Sequence, residues 1–472
     1  MVQEIFAILQ LFIFYNNQQM KRILFFNPKR EKCNLSNPQI GLAMLSAVLK
    51  RAGHKIQVVD YQFCHNAIAV DKSIEQFSPD IIGVSLYTST MKEADKIIDI
   101  VSRFDFPLLV GGPHATLYSE ELIGDNRIDY IVKGEAEEII TKLIEEARPQ
   151  RKPEVVDSML PDVSKLPFPD FTSFSGYDII TDYPLMTSRG CPHNCSFCAV
   201  HLISSRKWRA RSPRDCIDEL KEAKRKLPNL IKVGIFDDAP MVDPRHIKEI
   251  LRLYLEEEIN LPVVVLNSRA DNLDEEIMGL LKKCGCLSVC LGVEHGHPDV
   301  FNNINKGETL EEIIDKARLI KKYGFALYLC FIIGLPGDSL NKTKYSIRLA
   351  KELNADQVIW NNCVPYKGTR IRRIFEDSKA ELRDLTYHSS YVDGDFVCDE
   401  PCVDTPEFSI FERKKAYFMA ILETGHPRLD WDAIPRLIIY VARYGLYISF
   451  FHWLYRRIKN SRLKTIFKTQ HE

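Results

Sequence analysis

At 472 residues the chain is about three times the length of a typical domain, which excludes a single small module. Its 45% hydrophobic, 10% aromatic and 27% charged residues are a globular composition, neither disordered nor fibrous. Lys and Arg (63) against Asp and Glu (64) leave a net charge of -1, so no overall basic field exists to hold a nucleic acid by its phosphates.

Residues 1–20 read as an N-terminal extension. Phe6 to Phe14 is apolar but lacks the basic start and small-residue cleavage site of a signal peptide, and Met20 stands just before the first strand. Over 21–147, short apolar runs alternate with amphipathic stretches, as βαβ units do. Strands are expected at 23–26, 55–60, 80–87, 107–111 and 128–133, with helices such as 41–52 and 90–104. Five such units fit a flavodoxin-like doubly wound domain, whose ligand lies at the strand C-termini near the topological switch. Ser85, Tyr87, Thr88, Gly111, Gly112, His114, Gly134 and Glu135 fall there.

Prolines crowd residues 148–175, which are therefore expected to be an irregular linker with Phe168 and Phe171 packed against something. A second alternating series occupies 176–374. Its strands are expected at 185–188, 232–236, 263–267, 288–293, 326–333 and 357–361, with helices at 213–226, 274–284 and 310–323. Six βα units suit a partial (β/α)6 barrel with its reactive groups at the strand C-terminal ends. The fold class is thus α/β: a doubly wound domain, a partial barrel, and a mainly helical region at 375–472. In that last region 437–455 has Arg443 as its only charged residue and runs into Arg456, Arg457, Lys459, Arg462, Lys464 and Lys468. Two readings stand: a helix lying on anionic lipid, with membrane contact through 437–468, or a helix covering the barrel.

The sequence has 13 cysteines, an odd number scattered without a secretory signal, which points to reduced thiols or metal ligands in the cytoplasm. Directly after the first strand of the second series stands Gly190-Cys191-Pro-His-Asn-Cys195-Ser-Phe-Cys198. Three cysteines at this spacing can ligate three irons of a 4Fe-4S cluster and leave the fourth iron open. An open iron can chelate S-adenosylmethionine (SAM) and pass an electron to its sulfonium, and Phe197 offers an aromatic face beside the adenine. A zinc site is the competing reading, but zinc wants four closed ligands and His193 inside the loop is badly spaced for the fourth.

Further motifs follow at the later strand ends. They are Arg209-Ala-Arg-Ser-Pro213, Phe236-Asp-Asp238, Ser268-Arg-Ala-Asp271, Gly292-Val-Glu-His-Gly296, Asn305-Lys-Gly307, Gly334-Leu-Pro-Gly-Asp338 and Pro365-Tyr-Lys-Gly-Thr369. With the cysteine loop, this series resembles the radical SAM superfamily, in the branch with an N-terminal cobalamin (B12)-binding domain that holds the anaerobic Mg-protoporphyrin cyclase and B12-dependent methyltransferases. The resemblance spans residues 21–370. It implies that Cys191, Cys195 and Cys198 are the cluster ligands and that Phe236, Asp237 and Asp238 receive the methionine moiety of SAM. Ser268 and Arg269 would lie near SAM, and Glu294 would serve the ribose or Arg269. Gly334 and Gly337 would bound a segment that lets the adenine approach the backbone.

The same resemblance implies cobalamin at the strand ends of the first domain. Asn27-Pro-Lys-Arg-Glu-Lys-Cys-Asn lacks the D-x-H-x-x-G histidine that many cobalamin proteins place on cobalt, so a histidine ligand is not expected and a cofactor-free domain stays open. His114 is expected to be a turn residue and not a cobalt ligand. Cys284, Cys286, Cys290, Cys330, Cys398 and Cys402 are expected to be buried small residues rather than an auxiliary cluster.

The implied activity is reductive cleavage of SAM to a 5'-deoxyadenosyl radical, hydrogen abstraction from an unactivated carbon, and methylation of that carbon from cobalamin. Two alternatives remain: a radical oxidative cyclisation or rearrangement without methyl transfer, and a non-catalytic cobalamin- or zinc-binding protein. The partners implied are a small-molecule or lipid substrate and a reductase or flavodoxin-type electron donor, in the cytoplasm or at the inner face of its membrane.

Overall fold

In the computed structural model, which describes residues 20–29, 37–64, 67–150, 152–383, 401–424 and 433–460, the first alternating series folds into one parallel sheet. The strands are β1 (Arg22–Asn27), β2 (Lys55–Asp60), β3 (Ile81–Ser85), β4 (Leu108–Gly111), β5 (Tyr130–Lys133) and β6 (Glu154–Asp157). They lie in the order β2-β1-β3-β4-β5-β6, and every pair is parallel. The first five positions reproduce the flavodoxin order, with its switch between β1 and β3. Near-continuous apolar strands such as Arg22-Ile-Leu-Phe-Phe-Asn27 are what a sheet covered on both faces requires. Helices α1 (Ile40–Arg51), α2 (Val70–Phe77), α3 (Met91–Val101), α4 (Pro113–Leu117) and α5 (Ile140–Glu146) supply the crossovers.

The linker expectation needs correction. Pro153 and Pro161 flank a strand without interrupting it, and β6 pairs in parallel with β5 at the sheet edge, where proline is tolerated. Beyond it, Phe171 and Phe174 are buried, the Asp170 N–H donates to Ala43, and Ser175 donates to Val58. The chain divides into two compact units, Met1–Asp182 with Glu222–Leu230, and Tyr183–Lys221 with Ile231–Glu472. The segment from 1 to 19, most of the loop after β1, and Cys398 lie outside the described residues.

The second unit is built on β7 (Asp182–Leu185), β8 (Lys232–Ile235), β9 (Val263–Ser268), β10 (Ser288–Glu294), β11 (Ala326–Ile333) and β12 (Gln357–Asn362). They pair in chain order from β7 to β12, the singly wound order of a partial barrel. Helices α6 (Pro213–Lys226), α7 (Pro244–Glu256), α8 (Glu275–Lys283), α9 (Leu310–Lys322) and α10 (Leu340–Glu352) follow successive strands. The first strand sits three residues earlier than 185–188 predicts. After Leu185, which accepts from Phe236 N–H, the Thr187 N–H turns to the Asp237 carboxylate instead of a ladder partner.

Helices α11 (Ile410–Thr424), α12 (Ala433–Tyr444) and α13 (Tyr447–Asn460) form the C-terminal region. The stretch 437–455, read above as one helix, is two: Gly445 takes φ 62°, a left-handed turn that ends α12. Among the described residues no helix is long and apolar enough to cross a membrane.

Candidate active site

The cysteine loop leaves β7 through a short antiparallel stem, in which Ser188–Arg189 pairs with Arg209–Ala210. At its mouth Gly190 has φ 82°, and a Cβ there would run into the carbonyl oxygens of Lys207 and Ser204, so only glycine fits. Two aspartates grip the stem. Asp237 accepts from the Thr187 N–H (2.6 Å), the Thr187 hydroxyl (2.5 Å) and the Ser188 hydroxyl (2.6 Å), and Asp238 accepts from the Gly190 N–H at 2.9 Å. Burial pushes the Asp237 carboxyl up, and the hydrogen bonds from Ser188 and Thr187 act against it. Further along, Ser196 N–H donates to Ile304 O (2.8 Å) and Ser196 O accepts from Ile371 N–H (3.0 Å), so the loop is fastened to segments far away in sequence.

The three thiols open on one cavity of about 490 Å³. Its lining also includes Phe197, Phe236, Asp237, Asp238, Ser268, Arg269 and Glu294, so ten of the expected residues come together. Burial pushes the Cys195 thiol up to about 11 and the Cys198 thiol up to about 12. Thiols so placed favour the thiolate only beside a cation. Among the described residues no three His, Cys, Asp or Glu side chains gather closely enough for a single ion. Three thiols on the wall of one cavity leave room for the separate corners of an iron-sulfur cluster. Two buried polar atoms in the lining, Ser268 Oγ and His193 Nε2, have no hydrogen-bond partner, as befits a pocket made for a polar ligand.

A charged network that sequence reasoning missed lies on the cavity wall. Lys306 Nζ is buried 3.2 Å from Glu294 Oε1 and 3.1 Å from Glu308 Oε2, and it donates to Gly292 O. Burial opposes its charge, but Glu294 and Glu308 outweigh that and hold the ammonium above its ordinary value. Glu294 therefore pairs with Lys306, not with Arg269. Arg269 bonds instead to Asp271 Oδ2 (2.9 Å) and Lys306 O (2.9 Å), with Cys195 Sγ 4.0 Å from its Nη1. Glu294 sits at φ 67° where the β10–β11 register breaks, and a Cβ on Gly292 would meet its Oε1 at 2.5 Å. The only sequence signal was Lys306 in Asn305-Lys-Gly307.

Gly334 and Gly337 do not join the lining. The place of a Gly334 Cβ is taken by the buried guanidinium of Arg413 from α11, which donates to Gly334 O at 2.9 Å. Cys290 and Cys330, expected as buried small residues, do face the cavity, their sulfurs 3.4 Å apart, while Cys284, Cys286 and Cys402 are buried as expected.

In the first unit, Ser85, Tyr87, Thr88, Gly111, Gly112, His114, Gly134 and Glu135 all stand at or just beyond strand C-termini. His114 is buried, with Nδ1 3.1 Å from Thr88 Oγ1 and its ring stacked on Tyr118 at 4.8 Å. Tyr87 accepts from Gln39 Nε2 at 3.0 Å. Gly112 and Gly134 are explained internally, since a Cβ would meet Leu86 O at 2.9 Å and Ser158 Oγ at 2.6 Å respectively. At Gly111 a Cβ would meet only Val132, at 3.7 Å, so its missing side chain leaves space that the fold itself does not need.

Residues 185–350 match the radical SAM superfamily and residues 32–144 match the B12 binding domain. This chain belongs to the radical SAM superfamily and carries a B12 binding domain. The radical SAM protein is 28% identical over 362 residues to an uncharacterized methyltransferase of Pyrococcus horikoshii, covering 71% of this chain and 78% of the relative. It is 23% identical to the cytidylyl-2-hydroxyethylphosphonate methyltransferase of Streptomyces wedmorensis, covering 88% and 93%. Its fold is shared with the cobalamin-dependent SAM radical enzyme OxsB, solved with aqua-cobalamin and SAM bound: TM-score 0.65 at 17% identity, covering 93% of this chain and 72% of that one.

Proposed function

We propose that this chain is a cobalamin-dependent radical SAM methyltransferase acting on an unactivated carbon. The observation that carries the reading is the gathering of Cys191, Cys195 and Cys198 with Ser268, Arg269 and Glu294 around one cavity at the strand ends. Methyltransferases among the relatives support it. When bound, a 4Fe-4S cluster supplies the electron that splits SAM into methionine and a 5'-deoxyadenosyl radical, and cobalamin supplies the methyl group.

The chain's residues take up their parts around those groups. Cys191, Cys195 and Cys198 hold the cluster, with the Arg269 guanidinium offsetting charge at Cys195. Asp237 and Asp238 position the loop and, with Phe236, line the part of the cavity that receives the methionine moiety. Ser268 Oγ and His193 Nε2 await polar groups of SAM, Phe197 and Phe236 wall the site, and Glu294, steadied by Lys306, offers a carboxylate to a ribose hydroxyl. The wall of Cys330, Ile332, Asn361, Asn362 and Tyr366 is left for the substrate, a small molecule or a lipid. In the first unit Gly111 and Ser85 make room for the flat macrocycle, and His114, engaged by Thr88 and Tyr118 just beyond β4, is a contact residue and not a ligand of cobalt. A reductase or flavodoxin-type donor in the cytoplasm supplies the electron.

The test uses anaerobically reconstituted protein with SAM, reductant and hydroxocobalamin. The expected result is near-stoichiometric cobalamin after desalting, formation of 5'-deoxyadenosine, and S-adenosylhomocysteine release with a methyl acceptor. Replacing Cys191, Cys195 or Cys198 by Ala should abolish deoxyadenosine formation; cleavage that persists overturns the reading. Cleavage without S-adenosylhomocysteine would move the assignment to a radical cyclase.

A further inference from the structure

Helices α12 and α13 carry an apolar face that none of the described residues covers. Their inward sides are fixed by contacts to α11. Tyr440 stacks on Phe418 with centroids 4.3 Å apart, His452 Nδ1 meets Glu423 Oε1 at 3.0 Å, and Arg456 donates to the carbonyls of Leu422 and Glu423. Trp453 is buried beside Phe450. The outward sides are thereby fixed as well. They present Ile438 and Ile439 from α12 and Tyr447, Ile448, Phe451 and Tyr455 from α13, with Ile448 73%, Phe451 64% and Tyr455 65% exposed. Contiguous large apolar side chains at the surface mark a contact site.

Charge indicates what covers the face. Between Ala433 and Lys468 the sequence has no Asp or Glu, while Arg436, Arg443 and the six basic residues from Arg456 to Lys468 make eight positive charges in a chain of net charge -1. Arg456 is spent inward, while Arg443 is exposed on α12. A second copy of the same face would bring like charge against it. An anionic bilayer offers hydrocarbon and negative headgroups together. The helices, of 12 and 14 residues, span about 18 and 21 Å, short of the roughly 30 Å hydrocarbon core, and Gly445 breaks them apart.

We propose that this face of α12 and α13 docks on an anionic lipid surface, with Ile448 and Phe451 seated at the headgroup boundary and the helices lying in the membrane plane. The inference stands independently of the reaction above. The full chain should co-sediment with vesicles of phosphatidylglycerol and phosphatidylcholine, about tenfold more weakly with phosphatidylcholine alone, and less as salt rises. Ile448→Asp with Phe451→Asp should lower binding by at least about tenfold with an unchanged circular dichroism spectrum. Should that variant misfold, Arg443→Gln with Lys464→Gln leaves the apolar face intact and should weaken binding to the anionic vesicles only. Absence of binding by the folded full chain, or binding that either folded variant leaves unchanged, overturns the proposal. So does sedimentation velocity showing self-association that the aspartate variant abolishes, which would assign the face to a second copy.

Discussion

The carboxylate of Asp237 accepts the Thr187 backbone N–H at 2.6 Å, tying the end of β8 to the chain that leads into the cysteine loop. An amide at this position offers one acceptor oxygen where three donors converge, so Asp237→Asn strands a buried donor. The expected cost is about 1–3 kcal/mol in denaturant unfolding, with iron and sulfide per chain after anaerobic reconstitution falling below the wild-type value. Unchanged iron content would separate the stem from cluster retention.

Lys306 neutralises two buried carboxylates, and its loss should be worse than the loss of the whole group. Lys306→Met is expected to destabilise by roughly 3–5 kcal/mol because Glu294 loses its cation and Glu308 keeps only the Arg269 guanidinium, at 3.8 Å. Adding Glu308→Gln should recover part of that. A thermodynamic cycle over the two sites would read strict additivity if the coupling were absent.

Gly190→Ala puts a methyl group against the Lys207 carbonyl in a left-handed backbone conformation. Stem and loop must then shift, so reconstituted protein should lose most of its iron while the first unit still retains cobalamin. Full iron loading in the variant would show the close approach to be dispensable.

Acid should loosen α13. Burial pushes the Glu423 carboxyl up, but Lys351 Nζ at 2.7 Å, His452 and Ser449 outweigh it and hold the group below its ordinary value. A depressed carboxyl contributes stability above its unfolded value, about 4.3, and loses it as pH falls through and below that value. For a half-buried group the contribution is about 1 kcal/mol after allowance for screening. Trp453 emission should therefore shift to the red on acidification below about pH 4, and Glu423→Gln should remove the pH-dependent step.

Nearly every parallel strand was legible in the sequence because buried strands read as short apolar runs; 55–60 and 326–333 have the observed bounds. The misreadings have separate causes, each a contact remote in sequence. At 185–188 a remote carboxylate, Asp237, pulled the backbone off the ladder, and β6 formed between prolines because the edge of a sheet needed a partner. Within the site, the thiol spacing and strand-end motifs were visible along the chain. The Lys306 network was not, since it joins β10 to a loop after it through a break in register, and Arg413 reaches Gly334 across 79 positions of sequence. Contacts of that kind leave no periodic trace.

The fastening of Ser196 to both Ile304 and Ile371 separates two events that many metal sites merge. A zinc finger gathers its ligands only as the ion arrives, so loading and folding are one equilibrium. Here main-chain bonds from two other parts of the unit fasten the cysteine loop without calling on its thiols. Loading and folding are therefore expected to be separable, and a chelator that strips the iron should leave the circular dichroism spectrum of the chain unchanged.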